Sequence, residues 1–102
     1  MKACVVLTTV GADFDATALA KALVEQRLAA CVNVLPQVQS IYRWKNGVEG
    51  DREQLLVIKT TPERIDALRT ALLGQHPYEV PEFVVLAAEV DGAYAEWLFH
   101  SV

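Results

Sequence analysis

ACVNVLPQVQSIYRWKNGVEGDREQLLVIKTT, from Ala30 to Thr61, reads as one long β-hairpin. Two arms rich in strand-favouring residues, Cys31 to Leu35 continuing through Val38, Ile41, Tyr42 and Trp44, and Leu55 to Thr60, flank Asn46-Gly47. That dipeptide best accepts the positive φ angles of a type I′ turn. A second arm running from Val48 to Thr60 at about 3.3 Å per residue spans roughly 43 Å. A compact chain of this length, with a radius of gyration of about 13 Å, is only about 33 Å across. The tip is therefore expected to overhang the body. It carries Ile41, Tyr42 and Trp44, and a protruding ribbon with large apolar side chains and unpaired edges aggregates unless something covers it. The expected cover is another copy of the same chain.

Outward from the hairpin, Ala3 to Val10 is a nearly continuous apolar run rich in valine, the pattern of a central strand buried on both faces. Gly11 to Asp15 breaks it and supplies helix caps, and Leu19, Ala20, Leu23, Val24 and Leu28 recur at helical spacing to predict a helix from Ala16 to about Arg27. Lys21 and Glu25 are spaced to pair on its outer face. On the other side of the hairpin, Thr61-Pro62-Glu63 is a helix start, with Ile65, Leu68, Ala71 and Leu72 as the buried stripe and Gly74 as the stop. The prolines of His76-Pro77-Tyr78-Glu79-Val80-Pro81-Glu82 exclude regular structure, Phe83 to Val90 reads as a fourth strand, and Asp91-Gly92 opens a short terminal helix bearing Tyr94, Trp97 and Leu98. The order β-α-β-β-α-β plus a helix predicts an α+β, ferredoxin-like sheet with its first and third strands at the centre and helices over one face. Those are the two most uniformly apolar runs, Ala3 to Leu7 and Leu55 to Ile58.

At 102 residues and 53% hydrophobic content the chain is expected to fold as one domain over positions 1–102. Its formal charge of −4 and scattered basic residues disfavour nucleic acid and anionic membranes as partners and make cations the more natural ligands. No apolar run approaches the roughly 20 residues that span a bilayer, and Met1 to Leu7 is too short for a signal peptide, so a cytoplasmic address is expected. The topology places a strand between those of Cys4 and Cys31, separating them by about 9 to 10 Å, beyond disulfide reach.

The loop from His76 to Glu82 is the densest group of ligand-capable side chains outside the charged helices. A neutral imidazole with a carboxylate suits a divalent metal, and a Cys31 thiolate would add affinity for copper or zinc. The alternative is that His76 hydrogen-bonds the last helical carbonyls and Cys31 is a small buried hydrophobe. Tyr42 and Trp44 share a strand face and serve either as pocket lining or as contacts between chains. Lys59, in a central strand, needs a carboxylate or a strand end in water. Enzyme motifs are missing: no Gly-x-Ser-x-Gly, Walker or Rossmann pattern occurs, and Thr8 to Asp13 lacks the arginine of an acylphosphatase phosphate loop. The third strand lacks the basic and aromatic pairs of an RNA-recognition sheet.

The residues resemble the CutA family of divalent-cation tolerance proteins over nearly the whole chain. The likeness runs through Leu28-Ala29-Ala30-Cys31, Ser40-Ile41-Tyr42-Arg43-Trp44, Glu53, Lys59-Thr60 and above all His76-Pro77-Tyr78-x-x-Pro81-Glu82. It implies a ferredoxin-like subunit in a homotrimer joined by strand pairing between chains, a cytoplasmic role in tolerance of copper or another divalent cation, and architectural kinship with PII-type signalling trimers. Carried over residue by residue, it implies Cys31 and His76 as candidate metal ligands, to which the loop's carboxylate Glu82 is added, and Tyr42, Trp44, Glu53, Lys59, Tyr78 and Glu82 as lining of a cleft between subunits. The overhanging tip itself places Ile41, Tyr42 and Trp44 at the oligomer interface. Where some members carry a cysteine at the end of the first strand, this sequence has Thr8. Two functions remain open: a metal-binding, non-enzymatic trimer, or a signalling scaffold whose cleft takes a small molecule or protein partner. Either way both cysteines are expected to be thiols. Thiol titration of the denatured, unreduced protein should count two per chain, and a count of zero in monomeric chains would refute the separated-strand topology.

Overall fold

Strand β1, Lys2–Gly11, lies between β3, Gly47–Thr60, and β4, Val84–Glu89, and β2, Cys31–Trp44, forms the other edge. The computed structural model describes residues 1–102, and its sheet is antiparallel throughout in the order β2-β3-β1-β4. Helices α1, Ala16–Glu25, and α2, Ile65–Gln75, connect the strands, and α3, Gly92–His100, ends the chain. This is the α+β, ferredoxin-like arrangement expected from the element order, with the two most apolar runs at the centre. The register sets Cys4 against Thr60 and Cys31 against Lys59, so β3 separates the two cysteines, and both are free.

Burial alternates along β1 and β3 as the pleat requires. Val6, Val10, Leu56 and Ile58 are fully enclosed and pack with Leu19 and Leu23 of α1 and Leu68 and Leu72 of α2. Val5, Leu7, Leu55 and Val57 point to the opposite face and are only half-buried. Leu98 of α3 packs on Ala3 at one end of that face. The rest carries no second layer. The double-sided apolar pattern of β1 is thus satisfied on one side alone within a single chain.

The hairpin overhangs as expected: the long axis measures 45 Å against 24 and 23 Å for the others. Its turn lies one residue earlier than Asn46-Gly47. Lys45 and Asn46 carry the positive φ values, 47° and 68°, and Gly47 already pairs with Trp44. A left-handed lysine costs about 1–2 kcal/mol. The pairing of two fourteen-residue strands outweighs it. That pairing shifts register between Leu35 and Val38, and Pro36, with no N–H to donate, is accommodated at the irregularity on an edge strand.

The helices differ from expectation at their ends. Asp15 caps α1 by accepting the Ala18 N–H, but α1 stops at Glu25 and unwinds through Arg27 at φ 58°, with Leu28 N–H returning to the Leu23 carbonyl. Lys21 and Glu25 form no ion pair; the chain's pairs are Met1 and Lys2 with Glu89, and Arg69 with Asp66. Thr61 makes no capping bond, and Pro62–Arg64 form a 3₁₀ turn before α2. Helix α2 runs through Gly74 to Gln75, because His76 is held in extended conformation by contacts of its own. The fourth strand is shorter than Phe83 to Val90 by a residue at each end.

Gln54 ties the β1–α1 connection to β3. Its Nε2 donates to the carbonyls of Gly11 at 2.9 Å and Phe14 at 2.8 Å, and the side chain is almost wholly buried. Gln54→Ala strands both acceptors, so urea denaturation should register a loss of about 1–3 kcal/mol. A loss indistinguishable from zero would show that water replaces the amide.

Candidate functional site

His76 opens the loop after α2 with both ring nitrogens engaged. Nδ1 accepts the Tyr78 N–H at 3.1 Å, which assigns the proton to Nε2. Nε2 then donates to the Thr9 carbonyl at 3.0 Å, with the Thr8 hydroxyl 3.1 Å away. The ring thus fastens the loop to the end of β1, against the expectation that it caps α2. Neither nitrogen is free for a metal in this arrangement. Burial pushes the imidazole below its ordinary pKa, against the opposing influence of the Thr9 carbonyl and Glu53.

Fastened this way, the loop brings Tyr78 over the base of the hairpin. The Tyr78 hydroxyl donates to Glu53 Oε2, and the Tyr42 hydroxyl donates to Asp51 Oδ2. Burial, and then the Glu53 contact, raise the Tyr78 phenol well above its usual range. The Asp51 hydrogen bond leads the causes that push Tyr42 up to about 12. Glu82, partly enclosed and facing Glu53, is raised by burial first and by that neighbouring charge second. Both phenols remain protonated donors at neutral pH.

Loop and hairpin together enclose an open cleft of about 730 Å³. Tyr42, Trp44 and Ile41 line one wall; Pro77, Tyr78 and Val80 line another; Asp51, Glu53, Glu79 and Glu82 supply its charges, with Thr9 and Ser40 completing it. No Lys, Arg or His faces it. Such a cleft attracts cations, repels phosphates, and is large enough for a small organic molecule.

Of the expected site residues, Tyr42, Trp44, Glu53, Tyr78 and Glu82 converge here, and His76 supports them from behind. Cys31 and Lys59 do not line the cleft. They are cross-strand partners at the far end of β3, six residues or about 20 Å from Glu53. Lys59 finds no carboxylate; its Nζ lies 5.8 Å from the centre of the Tyr94 ring. Cys31 Sγ lies 3.9 Å from Asn33 Oδ1. Within one chain no three His, Cys, Asp or Glu side chains approach closely enough to hold an ion. Sequence reasoning missed Asp51 and the Thr8–Thr9 anchor. Asp51 was visible as the middle member of Glu49, Asp51 and Glu53, an acid at every second position of one strand, whereas the anchor depends on a contact across 67 residues.

A family model described as CutA1 divalent ion tolerance protein matches residues 4–101. The divalent-cation tolerance protein CutA of Thermus thermophilus is 50% identical over 95 residues, 92% of each chain. The crystal structure of CutA1 from Oryza sativa superposes with a TM-score of 0.92 at 37% identity, covering 99% of this chain and 94% of that one. A structure from Nostoc described as the PII-like protein CutA superposes at 0.83 and 35% identity, covering 99% and 96%.

The His76 clamp has a pH signature. An imidazole whose folded pKa lies below its unfolded value of 6.5 is protonated first in the unfolded chain, so stability is full above that pH and declines as pH falls below it. Glu82, raised in the fold, acts oppositely nearer its ordinary value of 4.5. Thermal unfolding should therefore show wild type losing stability between pH 7 and 5.5 relative to His76→Gln, and parallel curves would remove His76 from the clamp.

Proposed function

The chain belongs to the CutA1 divalent ion tolerance family, and from that premise we propose that it is a homotrimer that binds a divalent cation in a cleft at the subunit boundary, acting as a binding protein rather than an enzyme. One observation carries this reading: every charged side chain lining the cleft is acidic. The available donors are carboxylate oxygens, a set that suits hard divalent ions such as Mg²⁺ or Mn²⁺ better than copper. A neighbouring subunit would complete the coordination that one chain leaves unfinished. Copper would call on Cys31, half-buried on the open sheet face where a neighbour would pack.

Assembly is supported by what a single chain leaves uncovered. Besides the half-buried face of β1 and β3, Val84, Val85 and Leu86 are 41–46% exposed on the edge strand β4, and the hairpin exposes Ile41, Trp44 and Val48. Both sheet edges are open to pairing, and cyclic closure satisfies them without fibres. Tyr42 and Trp44 remain 39% and 42% exposed. Covering all of that remainder, on two rings of about 150–250 Å² each, sets an upper limit of about 3–5 kcal/mol per arm, lowered by whatever ring surface stays open to the cleft. The two thiols fit a reducing, cytoplasmic compartment, and no helix is long and apolar enough to cross a membrane.

A second reading, a signalling or interaction scaffold whose cleft takes a small molecule, is favoured by the cleft's volume and the PII-like description of the Nostoc neighbour.

Light scattering at low micromolar concentration should give about three times 11.2 kDa, and a monomer mass would overturn the assembly. Trp44→Ala should weaken it more than Glu25→Ala on the outer helix face, because only the former opens a cavity between chains. Equilibrium dialysis against Mg²⁺, Mn²⁺ and Cu²⁺ should show retention that Glu53→Gln and Glu82→Gln reduce. Retention unchanged by both variants would remove the cleft as the metal site.

A further inference from the structure

Glu53 is a charged side chain only 7% exposed, yet nothing cationic in the chain pairs with it; the ion pairs lie at Glu89 and at Asp66. Its Oε2 accepts the Tyr78 hydroxyl, and its Oε1 has no hydrogen-bond partner and is left to the cleft the residue lines. No side-chain oxygen closed to solvent is left unpaired, so Oε1 opens onto the cleft, where a mostly enclosed carboxylate without a counter-charge attracts a cation. The cavity around it therefore favours a positive occupant from outside the chain.

The shape of the cavity bears on which cation. A bare metal ion needs several donors about 2.0–2.6 Å away. Here the acids do not converge and the one nearby imidazole is spent on Thr9 and Tyr78. The volume of about 730 Å³ lies within the 300–1,000 Å³ typical of small-molecule pockets. Three aromatic side chains, Tyr42, Trp44 and Tyr78, line it alongside the acids, and aromatic faces attract organic cations with apolar surface.

We propose that the cleft is a cage for an organic ammonium, an amine on a short apolar stem whose N–H groups reach Glu53 and Asp51 while its carbons lie against Tyr42, Trp44 and Tyr78. Carboxylates hold the charged end, and the rings reward the methylenes that a hydrated metal ion lacks. The proposal rests on the small-molecule reading of the cleft and not on the metal reading.

The test is calorimetry on the whole chain in phosphate buffer with EDTA, using n-butylammonium as probe, with n-butanol, n-butanesulfonate and matched NaCl as comparators. Butylammonium should bind saturably and raise the melting temperature, and the comparators should bind at least tenfold more weakly. Glu53→Gln and Asp51→Asn should each weaken butylammonium about tenfold, the effect of losing a charged hydrogen bond, with the light-scattering mass unchanged. Asp51→Asn, at an exposed position, keeps the test valid if Glu53→Gln does not fold. Equal binding of butanol would overturn the proposal, as would butylammonium affinity untouched by both variants. Failure of butylammonium beside saturable binding of Mn²⁺ without EDTA would overturn the amine cage and leave the metal reading standing. Butylammonium binding to a protein that retains no metal would support the cage and remove the metal reading.

Discussion

Two central strands apolar on both faces, in a chain with helices enough for one, set the terms for everything else in this molecule. Helices α1 and α2 close one side of β1 and β3 completely, leaving Val6, Leu56 and Ile58 without solvent exposure. The other side is covered by Leu98 at one end, and Val5, Leu7, Leu55 and Val57 stay only half-buried. The overhanging hairpin compounds the deficit, because a ribbon beyond the globule cannot be covered by the globule it leaves. These uncovered surfaces are what the proposed assembly would bury. The cleft runs along the same unfinished side, from Thr9 and Glu53 out to Trp44.

The cleft is assembled by a short relay. Thr8 and Thr9, at the end of a buried strand, hold the imidazole of His76; His76 holds the Tyr78 amide; Tyr78 reaches Glu53. The first and last links tie the loop to strands β1 and β3 and the middle one braces it internally, which lets a proline-rich loop place a phenol accurately. Thr8, where a cysteine would offer a soft donor, belongs to this relay, and the histidine beside it is already committed to orienting the loop. Chemistry in the cleft falls to oxygen donors and aromatic faces.

Much of the fold was legible because it rests on local patterns. Unbroken apolar runs marked the centre of the sheet, and an Asn-Gly pair between strand-forming arms marked the hairpin. The turn slipped by one residue because the ladder of Trp44 with Gly47 and its neighbours decides register, and a dipeptide's preference is small beside it. The end of α2 was misplaced because Gly74 signals a stop while the actual stop is imposed by His76, through partners on a strand 67 residues earlier. In the site, Tyr42, Trp44, Glu53, Tyr78 and Glu82 meet, while Cys31 and Lys59 lie at the other end of β3. Distance along a paired strand separates them, and no list of ligand-capable residues contains that distance.

The register shift between Leu35 and Val38 gives the hairpin something akin to a reading frame. Leu35 stands opposite Leu55 and Val38 opposite Glu53, so three steps on β2 match two on β3. The parity of outward and inward positions reverses there, and Ser40, Tyr42 and Trp44 inherit the side on which Asp51 and Glu53 stand. Without the extra residue that side would go to Gln37, Gln39, Ile41 and Arg43, placing a guanidinium among the acids where an aromatic ring now stands. Loss of one residue from this arm would therefore rewrite the cleft's chemistry while leaving the sheet pairable. Loss of two would shorten the ribbon and keep its meaning.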